Sequence, residues 1–294
     1  MPSPSELTTW CSEGNLDGIR DFLENDFPLL PPEGRTAYCA HTSQPQQGSC
    51  TDAPCNEKLT QLAIAAAEAD QVEIFAYLWD TYLASDGAGA EIPWAALKAA
   101  ARHGSIPLAE AFYCRDPTCF TKAVLKAPNG RVLGGSQIKV ALLHGHLNYI
   151  EFLLAHGADI NAEFPDQSPV RAAVRCDDDD ETVMKRIRFL VDRGAWVKGS
   201  GALTSAAGLG RLDAVAFLIE NGADADDLED ESTEINRTNT SALLAAAESG
   251  HEPIVRLLVK HGADVSHRDD LGRSAVDLAE SNGHARLAGL LRQA

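Results

Sequence analysis

The sequence contains few aromatic residues and few positive charges. Aromatic side chains make up 6% of its 294 residues, and 25 lysines and arginines stand against 43 aspartates and glutamates, which gives a formal net charge of −18. A chain this acidic repels phosphate groups, so nucleic acids and anionic membrane surfaces are not expected as partners. The apolar fraction of 45% is large enough for a hydrophobic core and argues against global disorder.

Long apolar runs and the features of an export signal are also missing. No segment approaches the roughly 18 uninterrupted apolar residues of a transmembrane helix. The first residues, MPSPSELTTWCSEG, have neither the positive n-region nor the apolar core of a signal peptide. Seven cysteines, an odd number, are then more typical of reduced thiols than of a disulfide framework. We therefore expect a protein of the cytoplasm or the nucleus.

Local signatures of catalysis are absent as well. The sequence has no Gly-x-Ser-x-Gly elbow, no Gly-x4-Gly-Lys-Ser/Thr phosphate loop, no His-Glu-x2-His motif and no Rossmann fingerprint after a strand. A catalytic triad is assembled only in three dimensions, so this absence makes an enzyme less expected without excluding one. We predict no cofactor and favour a non-catalytic function.

What the sequence has instead is a repeated spacing of small and aliphatic residues around a glycine. Around Gly250, small residues stand three and four places before it, apolar residues five, eight and nine places after it, and a second glycine twelve places after it. All or part of this register recurs from eight origins, which are Gly14, Asp70, Gly104, Gly145, Thr182, Gly210, Gly250 and Gly283. The spacing predicts eight successive units.

Each unit is predicted to be a pair of short antiparallel helices. The first helix is rich in alanine, so that neighbouring backbones can approach closely. The origin glycine ends this helix because glycine readily adopts the left-handed conformation of a C-cap. The second helix carries apolar residues on one face. A single pair cannot bury both helices, so the pairs are expected to stack as a solenoid.

Turn sequences and helix starts carry a resemblance to a known family. Gly157-Ala-Asp-Ile-Asn-Ala, Gly222-Ala-Asp-Ala-Asp and Gly262-Ala-Asp-Val-Ser-His resemble the turn and hairpin signature of ankyrin repeats. Gly272-Arg-Ser-Ala-Val-Asp-Leu-Ala279 and Thr240-Ser-Ala-Leu-Leu-Ala-Ala resemble degenerate forms of the family's threonine-proline-leucine-histidine helix start. Gly250 and Gly283 are 33 residues apart, which is the length of an ankyrin repeat.

The resemblance to the ankyrin-repeat family covers most of residues 5–294 and is strong from about residue 140 onward. It implies an all-α fold, an ankyrin-repeat solenoid of paired antiparallel helices with β-hairpin or loop connections. The expected array is a single one over 1–294, with about eight repeats of which the first three are degenerate. The resemblance also implies a scaffold that binds a protein partner through its concave groove and hairpin tips. We expect this scaffold to be a monomer.

Four insertions interrupt the repeat period, and insertions in a solenoid project from its surface as loops. They cover about 27–58, 114–135, 176–181 and 224–232. The first insertion contains four residues of the types that bind zinc, namely Cys39, His41, Cys50 and Cys55. Their spacing lacks the usual Cys-x2-Cys pair. A plain loop with reduced thiols is therefore favoured over a zinc site, and a Cys50–Cys55 disulfide is a smaller alternative.

The other three insertions favour structural interpretations. In 114–135, two buried thiols at Cys114 and Cys119 are favoured over a metal or redox pair. The acidic run at 176–181 lacks the alternating ligands and central glycine of an EF-hand, so it is predicted to be a solvated turn at a helix start. The acidic residues of 224–232 predict an extended hairpin that would steer a basic partner peptide, or else a flexible solubilising loop.

Positions at hairpin tips and in the groove are the predicted partner-binding residues. They are Glu163, Phe164, Asp166, Trp196, Lys198, Asp227, Glu229, Arg268 and Asp270. Trp196 stands where other units have the aspartate of Gly-Ala-Asp. The alternative interpretation is that this tryptophan packs over the shortened connection that follows it.

The alternative function is a stand-alone enzyme or small-molecule-binding array. His103 and His144 stand just before their origin glycines, so both are expected near the groove as acid–base groups. A deep, closed apolar pocket between the N-terminal loop and the groove would favour this alternative, whereas a continuous shallow groove would argue against it.

Overall fold

The computed structural model describes residues 2–26, 56–84, 91–121, 137–162, 168–228 and 240–294. Within these ranges every regular element beyond two isolated β-bridges is helical. The structure has sixteen α-helices there, and the second and the fourth continue into π-helical turns at Phe22–Asp26 and Trp79–Leu83. The predicted all-α fold class is confirmed.

The α-helices of the described ranges fall into eight successive pairs, in agreement with the eight predicted units. The pairs are α1 (Pro4–Glu13) and α2 (Leu16–Asp21), α3 (Asn56–Glu68) and α4 (Val72–Leu78), α5 (Trp94–His103) and α6 (Ile106–Arg115), α7 (Gln137–Leu143) and α8 (Leu147–Ala155), α9 (Pro169–Val174) and α10 (Asp180–Asp192), α11 (Ala202–Gly208) and α12 (Leu212–Glu220), α13 (Ala242–Ser249) and α14 (Glu252–Lys260), and α15 (Ala275–Ser281) and α16 (Ala285–Leu291). Below, the odd-numbered member of a pair is the first helix and the even-numbered member is the second.

The first helices end where the glycine register placed their ends. Gly250 follows α13 with φ of +77°, and its N–H donates to the carbonyl of Ala246. Asp70, the only non-glycine residue with positive φ in the described ranges, takes the corresponding place after α3 with φ of +57°. The left-handed conformation is therefore required by the turn itself, because aspartate adopts it here at a steric cost that glycine does not have.

The chain divides into two compact units, and the first comprises Met1–Lys122 and Asn148–Gly157. In this unit α1 packs against α3, α3 against α5, and α4 against α6. Ala66 and Ala67 of α3 are completely buried, so neighbouring first helices pack closely at these positions. The ring of Phe75 lies 5.4 Å from that of Trp79 and 4.8 Å from that of Phe112, which forms an aromatic core between the second helices.

The second unit comprises Ala123–Leu147 and Ala158–Ala294. Its first helices α7, α9, α11, α13 and α15 pack against one another in succession. The second helices α10, α12 and α14 do the same. Alanines at 206, 207, 246 and 247 are completely buried between first helices. Each pair thus packs on its neighbours in sequence, which is the packing of a solenoid.

Histidine rings pack against the glycines of preceding repeats in the second unit. The ring of His251 covers Gly210, and its Nε2 lies 3.2 Å from the carbonyl oxygen of Gly208 in the preceding repeat. The ring of His284 covers Gly250 in the same way, since a Cβ on Gly250 would lie 2.4 Å from Cε1 of that ring. The histidine directly after the origin glycine thus contacts the backbone of the preceding repeat.

The insertions are described only in part. Helix α3 begins at Asn56, so the last three positions of the predicted 27–58 loop are helical, while 27–55 lie outside the described residues. Helix α6 runs through Cys114 to Arg115, so the second insertion begins later than predicted. The acidic run 176–181 is a turn at the start of α10, as predicted, because the side chain of Asp179 caps this helix by accepting from the N–H of Thr182.

The thiol predictions at Cys114 and Cys119 have opposite outcomes. Cys119 is buried, as predicted, with 6% of its surface exposed. The prediction is wrong for Cys114, which is exposed on α6. The reason is that Cys114 belongs to the solvent side of a helix and not to a loop that folds back on the core.

Candidate partner-binding surface

Trp196 lies in the connection between α10 and α11, and 57% of its surface is exposed. Asn161, in the connection of a preceding repeat, accepts the N–H of Trp196 through Oδ1 at 2.9 Å and donates through Nδ2 to the carbonyl of Gly194 at 2.9 Å. One side chain thus fixes the backbone at Trp196 and two residues before it. The alternative interpretation, that this tryptophan packs over the connection that follows it, concerns only the covered part of its surface, because 57% is exposed.

Lys198 and Asp227 connect this turn to the next one along the chain. The Nζ of Lys198 lies 3.3 Å from Oδ2 of Asp224, and 70% of the lysine side chain is exposed. Asp227 accepts the N–H of Gly199 at 2.8 Å. Hydrogen bonds from the Asp226 backbone and from Lys198 hold the pKa of Asp224 below its ordinary value. Because the carboxylate of Asp227 accepts the N–H of Gly199 in the neighbouring turn, it has a structural role within the chain.

Asp226 makes a comparable link one repeat further along. Its Oδ1 accepts the N–H of Asp264 at 2.8 Å, and Asp264 in turn accepts the N–H and the hydroxyl of Ser266. The sequence predictions missed Asn161 and Asp226. A signal was present, because each stands four residues after the glycine that follows a second helix, Gly157 in one case and Gly222 in the other.

The turn from 268 to 274 is organised around a buried carboxylate. Asp269, with 7% of its surface exposed, accepts the N–H groups of Leu271 and Arg273 and the Nε–H of Arg273, at 3.0, 2.8 and 2.7 Å. Arg268 closes the same turn by donating to the carbonyl of Gly272 at 2.6 Å and by pairing with Asp277 at 3.2 Å. These bonds hold the turn in one conformation.

Leu271 and Asp270 project from this turn. Leu271 has 76% of its surface exposed, the highest value among the large exposed apolar residues that the structure describes, and Asp270 beside it is also exposed. Leu271 was not among the predicted residues. We define the tip surface as the exposed side chains that these hydrogen-bonded turns present in the second unit. Its members are Trp196, Lys198, Arg268, Asp270 and Leu271.

Several predicted residues lie outside the described residues. They are Glu163, Phe164, Asp166 and Glu229 of the proposed partner site, and Cys39, His41, Cys50 and Cys55 of the zinc alternative. Within the described ranges, no three His, Cys, Asp or Glu side chains come together in a way that could hold a metal ion.

The two histidines of the catalytic alternative each contact a backbone carbonyl. His103, in the first unit, has Nε2 at 2.8 Å from the carbonyl oxygen of Glu68 in the preceding repeat. His144, in the second unit, has Nδ1 at 2.9 Å from the carbonyl oxygen of Val140 in its own helix. Each imidazole thus makes a contact that supports helix packing or a helix end.

Comparison with known proteins bears on the repeats of the second unit. A family model described as "Ankyrin repeats (3 copies)" matches residues 203–294, the part that contains α12 to α16 and the turn with Leu271. Residues 203–294 are thus similar to ankyrin repeats. The turn with Leu271 lies within this range, whereas Trp196 and Lys198 precede it.

Similar proteins match a larger part of this chain. Alpha-latrocrustotoxin-Lt1a of Latrodectus tredecimguttatus is 30% identical over 184 residues, which are 60% of this chain and 12% of the toxin. The ankyrin repeat and KH domain-containing protein mask-1 of Caenorhabditis elegans is 29% identical over 54% of this chain and 6% of its own length. Protein VAPYRIN-LIKE of Medicago truncatula is 24% identical over 59% of this chain and 43% of its own length. The chain thus spans less than half the length of each of these relatives.

Ankyrin repeats are in general modules of protein–protein interaction, and the proteins that match this chain have different names. In the part of the chain that the structure describes, no helix has the length and apolarity needed to cross a membrane.

The ankyrin turn at 268–274 gives a pH-dependent prediction. Burial of Asp269 opposes its ionisation, but hydrogen bonds from the backbone and side chain of Arg273, together with the charge of Arg273, outweigh burial and lower the pKa of this carboxyl. The ionised form therefore stabilises the fold above the ordinary aspartate pKa of about 3.9, and this stabilisation is lost as pH falls through the lower, folded-state value.

We expect Asp269→Asn to lower the free energy of unfolding at pH 7 by about 1 kcal/mol. The difference from wild type should shrink as pH falls below about 4, because Asp269 then gains a proton on unfolding, until the folded-state carboxylate is protonated at a lower pH. Urea unfolding from pH 3 to pH 7 measures it, with the exposed neighbour Asp270→Asn as the control, which should have little effect. A destabilisation by Asp269→Asn that is constant over this pH range would show that the carboxylate charge is not involved.

Proposed function

We propose that this protein is a non-catalytic scaffold that binds a protein partner through its tip surface and the adjoining face of its first helices. The observation that carries the proposal is the 57% exposure of Trp196 on a turn whose backbone is fixed by Asn161. Tryptophan is enriched among the residues that dominate binding energy at protein interfaces. A large exposed apolar side chain on a fixed turn is therefore a suitable anchor for a partner.

The order of the turns supports binding by the tip surface. Leu271 lies on a turn fixed by Asp269 and Arg268, and Lys198 is held toward Asp224. Side chains on ordered turns lose less conformational entropy on binding than side chains on mobile loops. The tip surface can therefore offer two apolar anchors, Trp196 and Leu271, with charged groups near them that set the orientation of a partner.

Charge favours a partner with a basic surface. Asp224, Asp226, Asp227, Glu229, Asp230 and Glu231 fall within eight consecutive positions of the sequence, and no basic residue lies among them. An acidic stretch of this kind steers cationic segments toward the tip surface and repels nucleic acids and anionic lipids. In this proposal the protein acts as a monomer in the cytoplasm or the nucleus, where reduced cysteines are usual.

The experiment is affinity capture from extract of the native cells with quantitative mass spectrometry. Wild type is compared with the double variant Trp196→Ala/Leu271→Ser, and Glu110→Gln, at an exposed position of α6 outside the tip surface, is the control. We expect at least one protein whose capture falls about tenfold with the tip variant and is retained by the control, the loss expected for a central interface residue.

Circular dichroism and thermal melting establish that each variant is folded before capture is compared. An identical set and amount of captured proteins for wild type and the folded Trp196→Ala/Leu271→Ser variant would contradict the proposed function. A captured set that depends on Glu110 but not on Trp196 would contradict it as well, because the binding surface would then lie elsewhere.

A further inference from the structure

Three exposed leucines lie on the edge of the second unit where first helices turn into second helices. Leu143 is 49% exposed at the end of α7, Leu209 is 54% exposed after α11, and Leu212 is 41% exposed at the start of α12. They make up three of the five large apolar residues that are exposed within the described ranges, the other two being Trp196 and Leu271 of the tip surface. The tips lie at the other ends of these helices, so the leucines form a separate surface.

The acidic turn of 176–180 lies between these leucines. Arg186 packs beside Gly145, two residues from Leu143, because a Cβ on that glycine would lie 3.4 Å from Nη2 of the arginine. The same guanidinium pairs with Asp178 at 2.6 Å. Arg211, between Leu209 and Leu212, donates to the carboxylate of Asp180 at 2.5 Å and to the carbonyl of Cys176 at 2.8 Å. The two arginines therefore join the leucine turns to the acidic turn.

The charge of this edge is negative where solvent meets it. Asp177, Asp178, Asp179, Asp180, Glu181 and Asp213 are all exposed, six carboxylates in total. Of the three arginines nearby, only Arg175 is exposed. The side chains of Arg186 and Arg211 are 8% and 14% exposed, and they pair with Asp178 and Asp180 of the turn. The buried guanidiniums hold the turn in place while the carboxylates and the leucines face outward. We define the leucine edge as Leu143, Leu209 and Leu212 together with Asp177 and Glu181.

We propose that the leucine edge is a second docking surface, and that it binds a basic amphipathic helix of a partner protein. Apolar residues flanked by carboxylates complement a helix with a leucine stripe between lysines or arginines. Leu143 and Leu209 stand on first helices two repeats apart, and packed helices are about 8–10 Å apart, so the span is roughly 16–20 Å. At 1.5 Å per residue a helix of about 11–13 residues covers that span.

The test uses a synthetic probe, a fluorescein-labelled peptide of fourteen leucines and lysines with leucines at i, i+3, i+4 and i+7. A second peptide of the same composition has its leucines at positions without helical spacing. Fluorescence anisotropy at physiological salt measures binding to wild type, to Leu209→Ser/Leu212→Ser and to Asp177→Asn/Glu181→Gln, which spares the carboxylates bound by Arg186 and Arg211. Glu110→Gln, which removes an exposed carboxylate of α6 outside both surfaces, is the control.

We expect wild type to bind the amphipathic peptide about tenfold more tightly than the rearranged peptide, because only the former presents an apolar stripe. Each leucine-edge variant should weaken binding about fivefold or more, while Glu110→Gln stays within about twofold of wild type. Leucine methyl NMR with the same peptide should place the largest shift changes at 143, 209 and 212.

Four outcomes would overturn the proposal. Equal affinity for the two peptides, or unchanged affinity of the folded Leu209→Ser/Leu212→Ser variant, would show that charge alone attracts the probe. Sedimentation of a dimer that Leu209→Ser/Leu212→Ser dissociates would identify a second copy of the chain as the occupant. Binding to anionic phosphatidylserine vesicles that needs the same leucines would identify a membrane. None of these results depends on whether the tip surface binds its own partner.

Discussion

Replacing Gly250 with alanine is expected to lower the free energy of unfolding by about 3 kcal/mol, whereas the same change at Gly283 should cost about 1 kcal/mol. Both glycines follow a first helix with positive φ, +77° at Gly250 and +82° at Gly283. A Cβ on Gly250 would lie 2.4 Å from Cε1 of His284, but a Cβ on Gly283 would meet no atom within 4 Å. Both variants therefore have the conformational cost of alanine at positive φ, and only Gly250→Ala has the additional steric cost.

The difference between the two glycines isolates the contact between repeats. Urea unfolding of both variants measures it, and a double-mutant cycle with His284→Ala provides the control. Once the ring of His284 is removed, Gly250→Ala should cost no more than Gly283→Ala. Gly210→Ala should behave like Gly250→Ala, because His251 covers it with Cε1 at 2.6 Å from the added Cβ. Equal losses of unfolding free energy for alanine at all three glycines in wild type would show that the histidine rings do not restrict these positions.

Asp178→Ala is expected to lower the free energy of unfolding by about 2 kcal/mol, while Asp177→Ala changes it by less than about 0.5 kcal/mol. The two aspartates are adjacent in the sequence, but only Asp178 pairs with Arg186, at 2.6 Å. The arginine side chain is 8% exposed, so removing its partner leaves a buried charge without compensation. The expected cost stays below that of a fully buried pair because the Asp178 side chain is itself 38% exposed.

Chemical denaturation at low and high salt measures both aspartate variants. In the variant Asp178→Ala/Arg186→Met the buried charge is gone, so part of the lost stability should return. Equal effects of Asp177→Ala and Asp178→Ala would contradict the structure of the turn, since all four aspartates would then act as a solvated run. Failure of Arg186→Met to recover stability would show that the loss does not arise from the unpaired guanidinium.

The helix pairs could be predicted from the sequence because their determinants are local. A glycine that must adopt positive φ and aliphatic residues at helical spacing define each pair, and Asp70 with φ of +57° shows that the register was correct even without glycine. The turn at the start of α10 was predictable for the same reason, because capping by Asp179 depends on residues three positions away.

The surfaces could not be predicted in the same way because exposure depends on contacts between repeats. The exposure of Trp196 depends on Asn161, 35 residues earlier, and nothing in the local sequence distinguishes this arrangement from packing over the turn. Equally, the sequence does not tell which of four consecutive aspartates pairs with Arg186. Cys114 was predicted to be buried because the end of α6 was placed too early. These features require the three-dimensional stack.

The central claim is that the tip surface binds a protein partner, and hydrogen exchange measured by mass spectrometry tests it most directly. The chain is compared alone and in complex with the partner whose capture depends on Trp196. We predict slower exchange on binding at 194–199 and 266–272, the turns that carry Trp196 and Leu271. Slower exchange confined to the second helices α12 and α14, with no change in these two turns, would contradict the claim.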